Sequence, residues 1–234
     1  METNAFSSEL VLTNWSATIK KIKFEYVASA IQAPQSTASF SMTLQPGEQS
    51  ILPNLVQALR NQVISGIGPA GPAYVGALFA TVEGGDISGL FVGARTSTPG
   101  GGGRYGLFYS GVPFGAASAT TVWLYGLQQN PETRSNLALV NTGETDGNPD
   151  VFTIELFNGE TGSKVNTVEG ILLNARGWTQ IGGILAKYAT ATNQGYAKIT
   201  RGSGSNPFIT YGVINDGGQP GQRTGDGAFL PSSP

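Results

Sequence analysis

The side chains best suited to chemistry in this chain are oxygen donors and aromatic rings. Thr145-Asp146-Gly147-Asn148-Pro149-Asp150 sets Asp146, Asn148 and Asp150 at alternate positions, a D-x-N-x-D spacing that offers hard oxygen ligands to calcium. The pattern then departs from an EF-hand loop, because Val151 and Phe157 stand where that loop wants Gly and Glu. A calcium ion here needs further ligands from a second loop; without them the run is a solvated turn between strands. Glu132, Asp146, Asp150, Glu155, Glu160 and Glu169 are numerous enough for a glycosidase-like or peptidase-like carboxylate pair. Such a pair needs two carboxyls about 5 to 10 Å apart with separated pKa values, and no spacing singles one out.

Gly100 to Gly103 before Arg104 could cradle a phosphate, yet no Gly-Lys-Ser/Thr follows and no helix begins there, so a hairpin loop is expected. The aromatic residues Trp15, Tyr105, Tyr109, Phe114, Trp123, Tyr125 and Trp178 could supply a stacking platform for sugars or a partner protein. Trp123 and Tyr125 are the sharpest candidates. They alternate with Val122, Leu124 and Gly126, which puts the two rings on the face opposite the core, with Tyr105 a further candidate.

What is missing narrows the chemistry further. The 234 residues contain no Cys and no His, which removes thiol and imidazole nucleophiles and bases, the Ser-His-Asp triad, haem, and zinc, copper or iron sites built on those ligands. No cofactor is expected apart from the calcium candidate. Thirteen basic against fifteen acidic side chains leave a formal charge of -2, without the basic footprint of a nucleic-acid partner. No apolar run is long enough to span a bilayer, and Met1-Glu2-Thr3-Asn4 does not open a secretory signal.

The elements that must carry these residues read as short strands. Ile22, Phe24 and Tyr26 alternate with Lys21, Lys23 and Glu25; Phe40, Met42 and Leu44 alternate with Ser41 and Thr43 and stop at Gln45-Pro46-Gly47. Asn54 precedes Leu55, Ala58 and Leu59, one short helical turn with its cap. Residues 77–82 and 90–96 form a hairpin, and 105–109 a last strand. The pattern then restarts. Ser135-Asn136-Leu137-Ala138-Leu139-Val140-Asn141 reprints Ser8-Glu9-Leu10-Val11-Leu12-Thr13-Asn14; Phe152, Ile154 and Leu156 repeat the Phe24 strand; and Gly195 to Asn215 aligns without gaps on Gly76 to Thr96. A repeat this long is an internal duplication of whole domains, since solenoid units are far shorter. We expect an all-β chain of two tandem immunoglobulin-like β-sandwich domains, residues 1–115 and 116–234, each with about seven short antiparallel strands and one helical turn. A closed barrel is the alternative.

The runs SNLALVN, ARGWTQI, GYAKI, FITYGVINDGGQ and FLP, with their fainter copies SELVLTN, PGEQSIL, GALFATV, LFVGARTS and LFYSGVP, resemble tandem immunoglobulin-like modules of large secreted or surface-associated bacterial proteins. The resemblance implies an extracellular or cell-surface location and a structural or adhesive role. It brings no established activity and no catalytic residues. On this reading the chain is a non-enzymatic structural or adhesive module, one form of which is a self-assembling filament or surface-array subunit. The alternatives are a carbohydrate-binding module and, behind it, a carboxylate-dependent hydrolase. The strand at 120–127 has no counterpart in the first copy, so partner subunits or adjacent domains are expected to donate a strand at the Ser8 to Asn14 edge, and glycans are a second partner class.

Overall fold

Period-two alternation of apolar and polar side chains cannot bury its apolar set on a helix, and where it runs cleanly, as in Lys20–Ala28 and Asp150–Asn158, it produces strands. The computed structural model describes residues 1–29, 36–71, 73–100, 102–224 and 226–233. Residues 30–35, which belong to the Ser- and Pro-containing loop expected after the second strand, lie outside the described residues, as do Pro72, Gly101 of the glycine run, Gly225 and Pro234. The chain divides into two compact units, Met1–Gly111 and Val112–Pro234.

The first unit contains β1 (Ser7–Asn14), β2 (Lys20–Ala28), β3 (Thr37–Leu44), β4 (Gln49–Leu52), α1 (Leu55–Asn61), β5 (Gly76–Val82), β6 (Leu90–Gly100) and β7 (Gly103–Ser110). The strands form two antiparallel sheets in the orders β4-β1-β6-β7 and β3-β2-β5. Leu10 and Leu12 of one sheet meet Ile22, Phe24 and Leu44 of the other, and Leu55 and Leu59 of α1 close an end of this core. Asn54 caps α1 as expected, its Oδ1 accepting the Gln57 N–H at 3.2 Å.

The second unit contains β8 (Thr121–Gln128), β9 (Thr133–Asn141), β10 (Asp150–Asn158), β11 (Lys164–Leu173), β12 (Trp178–Ile181), α2 (Ile184–Tyr188), β13 (Gln194–Ser203), β14 (Phe208–Asp216) and β15 (Gly227–Ser233). Its strands follow one continuous order, β11-β10-β13-β8-β15-β14-β9-β12. The join is β15, whose Ser232 and Ser233 stand opposite Leu124 and Trp123 of β8. The two halves share one core, with Leu137, Leu139 and Phe208 packed with Val122, Leu124, Phe152, Ile154 and Ile199.

Strand for strand, the pairings correspond: β9, β10, β11, β12, β13, β14 and β15 are connected as β1, β2, β3, β4, β5, β6 and β7 are, and β8 has no counterpart. Two expectations change. The Ser8 to Asn14 strand is not an edge, because β1 pairs with β4 on one side and with β6 on the other, so strand donation beside it is excluded by its own neighbours. Gly126 does not continue the inward row of β8 either. It takes φ +80° at a bulge, and Leu127 becomes the third buried side chain after Val122 and Leu124.

Buried polar groups lock matching corners. Asn14 and Asn141 end β1 and β9, both fully buried. Asn14 Nδ2 donates to the Leu44 carbonyl at 3.2 Å, and Asn141 Nδ2 to the Leu173 carbonyl at 3.1 Å, so each asparagine ties its strand to the end of the third strand of its own unit. The openings of β2 and β10 differ in sign. Tyr26 stands opposite Leu78 and Leu156 opposite Ala197, which places Lys20 where the second unit has Asp150. Buried Lys20 donates to Asp86 Oδ2 at 2.7 Å and to the Asp86 carbonyl at 2.9 Å. Buried Asp150 instead accepts the Asn206 N–H at 3.0 Å and the Ser205 N–H at 3.3 Å. In both units the group holds the following hairpin loop against the sheet.

Candidate binding face

Adjacent strands β10, β13 and β8 present their outward positions as one surface. Phe157 stands opposite Tyr196, and Glu155 opposite Lys198, which stands in turn opposite Trp123. Trp123 and Tyr125 of β8 therefore join Tyr196 and Phe157 in a four-ring cluster. Ring centroids lie 6.3 Å apart for Trp123 and Tyr125 and 4.9 Å for Phe157 and Tyr196, each pair within 3° of parallel. Trp123 sits tilted against Phe157 at 5.7 Å and against Tyr196 at 6.0 Å. The rings lean on one another, which fixes their orientation before anything binds. Tyr125 at the margin is 53% exposed.

A charged row borders the rings. Lys198 Nζ lies 5.9 Å from the Trp123 ring centre and 3.3 Å from Glu155 Oε2, while Lys164 Nζ donates to Glu155 Oε1 at 2.9 Å. The Lys164 hydrogen bond, with Lys198 behind it, holds the Glu155 carboxyl below its usual pKa, so it stays anionic. The arrangement suits contact with a surface that is apolar in the middle and polar at the rim.

Of the sequence candidates, Trp123 and Tyr125 come together here. Tyr105 does not; it belongs to β7 of the first unit, where its ring covers Gly100 at the end of the β6–β7 hairpin. Phe157 and Tyr196 were missed, and their outward placement is readable only once β10 and β13 are known to flank one another beside β8.

Asp146, Asn148 and Asp150 gather around Asn206. Asp146 Oδ1 accepts the Asn148 N–H at 2.8 Å and Asn206 Nδ2 at 3.2 Å, Oδ2 accepts the Ser205 hydroxyl, and the Asn148 carbonyl accepts Asn206 Nδ2 at 3.3 Å. These oxygens point at N–H and O–H donors, forming a clasp between the loops before β10 and before β14. The Ser205 hydroxyl, followed by the Asn148 N–H, lowers the Asp146 pKa. Among the described residues no three acidic side chains gather as a metal cage. Other carboxylates are engaged too: Glu132 pairs with Arg223 at 3.0 Å, and Thr224 holds Asp216 below its usual pKa.

The second unit also has an open cleft of about 530 Å³ lined by Gln129, Arg134, Asn136, Lys187 and Gln219. The Arg134 guanidinium is spent on the Gly217 carbonyl at 2.7 Å and the Gln219 carbonyl at 3.3 Å, which props the loop after β14. No helix is long and apolar enough to cross a membrane among the described residues. No protein-family model, curated protein or solved structure matches the chain.

Proposed function

We propose that this chain is a non-enzymatic adhesive or structural module that works outside the cytoplasm and holds its partner through the aromatic face of the second unit. The observation that carries the reading is the cluster of Trp123, Tyr125, Phe157 and Tyr196 on an outer sheet face, with three half-buried rings backing the exposed Tyr125. The absence of His and Cys from the sequence supports a role without imidazole or thiol catalysis. A duplicated immunoglobulin-like origin is supported by the matched pairings and by the shared Asn14 and Asn141 corners. The β9–β12 and β10–β13 pairings are those of strands B with E and C with F in such sandwiches. β8, β11 and β14 depart from that plan by joining β13, β10 and β9.

Cosedimentation of the full chain with insoluble cell-surface material tests this. The W123A/Y125A double variant is expected to lose binding at least tenfold while remaining folded by its dispersed amide spectrum, with the lost ring contacts lowering stability by about 1–2 kcal/mol. Equal binding by the variant refutes the role of the face, and hydrolysis abolished by one carboxylate substitution refutes the module reading. A carbohydrate-binding reading is favoured by the near-parallel Trp123 and Tyr125 rings with an open flank, and periodate treatment of the material separates it: binding that survives glycan oxidation is to protein.

A further inference from the structure

The first unit lacks one strand, and its place is visible. In the second unit β8 lies between β13 and β15 and makes two half-sheets continuous. In the first unit the corresponding strands, β5 and β7, end their sheets with nothing paired between them among the described residues. Adding one strand would convert β4-β1-β6-β7 and β3-β2-β5 into the order seen in the second unit.

The end of that lane is already occupied in matching fashion. Gln128 N donates to Ser135 Oγ at 2.8 Å, and the Met1 amino group donates to Ser8 Oγ at 2.8 Å. Gln129 N donates to the Asn193 carbonyl at 2.8 Å, and Glu2 N to the Tyr74 carbonyl at 2.8 Å, with Tyr74 N returning a bond to Glu2 at 2.7 Å. Residues 1 and 2 thus sit where the last residue of β8 and its successor sit, and no strand pairs with β5 beyond Tyr74 on this side among the described residues.

Along the lane, backbone groups and apolar side chains both wait. The bonds Glu83 N to Lys21 O and Ser29 N to Val75 O fix the odd-numbered residues of β5 as those bonded to β2. By alternation, Gly76, Leu78 and Ala80 turn their N–H and C=O groups toward the lane, as Val82 does its N–H, while the Val82 carbonyl accepts the Gly85 N–H at 3.0 Å. Their counterparts Ala197 and Ile199 are fully buried beneath β8, whereas Leu78 is half-buried and Ala80 exposed. The strand reads Gly-Ala-Leu-Phe-Ala-Thr-Val, with none of the charges or prolines that usually guard an edge.

We propose that β5 is an acceptor for a strand from another polypeptide, an extended segment running antiparallel to it with uncharged apolar residues at alternate positions in the manner of Val122, Leu124 and Leu127. A second copy of this chain is a poor donor, because its own β8 is held on both sides by β13 and β15 and would have to be stripped from a finished sheet. Main-chain bonds to the four waiting residues supply general affinity, and the inward row supplies selectivity. This site lies on the first unit and stands independently of the aromatic face.

The test uses the full chain labelled with 15N and an unlabelled peptide, Thr-Thr-Val-Trp-Leu-Tyr-Gly-Leu, the sequence of residues 120–127, preceded by two lysines for solubility; it stops short of the two positions that residues 1 and 2 fill. Saturable one-to-one binding is expected, slowing amide exchange at Gly76, Leu78, Ala80 and Val82 at least tenfold. A peptide with Asp in place of its Val and both Leu residues is expected to give no protection. A80P removes one waiting N–H without touching the β2 ladder and is expected to abolish the effect; if A80P does not fold, A80K, which puts a charge on the inward row, serves the same purpose. No protection at β5 under saturating peptide overturns the proposal, as does protection confined to β13 through displacement of the resident β8. Slow exchange at the four amides in the chain alone, with sedimentation as a dimer, overturns the choice of donor.

Discussion

The amino group of Met1 is a charge in a place where the second unit has an uncharged amide. The residue is partly exposed, but its amino group is enclosed beside Ser8 Oγ, and burial pulls its pKa from 8.0 down to about 5, with neighbouring Glu2 opposing the shift. In the unfolded chain the group keeps its ordinary value, so between pH 5 and 8 the unfolded state binds the extra proton and the folded state does not. Stability therefore rises with pH across that window: the penalty is fully present below about pH 5 and gone above about pH 8. A thousandfold fall in proton affinity corresponds to about 4 kcal/mol, and local relaxation around a buried ammonium reduces this to about 2 kcal/mol. The chain has no His, so no other side chain at its ordinary pKa titrates in this range. Urea unfolding of the first unit at pH 5, 6, 7 and 8, followed by amide signals of β1 and β6, reads the effect. An Nα-acetylated chain is expected to show a flat profile and to match or exceed the stability of the free chain at pH 8. Equal slopes for the two forms would refute the account, because acetylation removes the only titrating partner it invokes.

Other perturbations have equally definite signs. Asn141→Ala leaves the Leu173 carbonyl and the Gly143 N–H without a partner, and is expected to cost about 1–3 kcal/mol by urea unfolding of the second unit while the first is unchanged. Tyr26 Oη is buried without a hydrogen-bond partner among the described residues, so Tyr26→Phe is expected to stabilise the first unit by about 1 kcal/mol. The Lys20 hydrogen bond pulls the Asp86 pKa down to about 2. That stabilisation is complete above the ordinary carboxylate value and disappears as pH falls to about 2, and Lys20→Met is expected to remove this portion of the acid transition. Gly126→Ala forces a side chain into φ +80°, with an expected cost of about 1–2 kcal/mol in thermal unfolding.

Alternation made β2, β3 and β8 readable, because each has one wet and one buried face. It failed for β11. That strand meets β10 with two register shifts, at Phe152/Ile154 and Leu156/Phe157, and Val165 and Leu172 are exposed, so no clean period survives. The short β4 and β12 have too few residues to show a period at all. The sequence points to an open edge at Ser8 to Asn14 because the unmatched strand immediately precedes its β9 counterpart in sequence. Between β8 and β9, however, the chain crosses from one half of the sheet to the other, so neighbours in sequence are not neighbours in hydrogen bonding. The aromatic face was half legible for a related reason. Trp123 and Tyr125 share a strand, whereas Phe157 and Tyr196 reach them only through long-range pairing that no local pattern encodes.

The opposite charges of Lys20 and Asp150 have a further consequence for a chain whose two halves are so alike. During folding, the β2 segment could meet the β13–β14 hairpin, and β10 the β5–β6 hairpin. In the first hybrid Lys20 would be buried facing the Ser205 and Asn206 N–H donors, and in the second Asp150 would be buried facing the Asp86 carboxylate. Each wrong match brings like polarities together out of water, and each right one joins a donor to an acceptor. One residue per half thus acts as a password by which each hairpin accepts its own sheet.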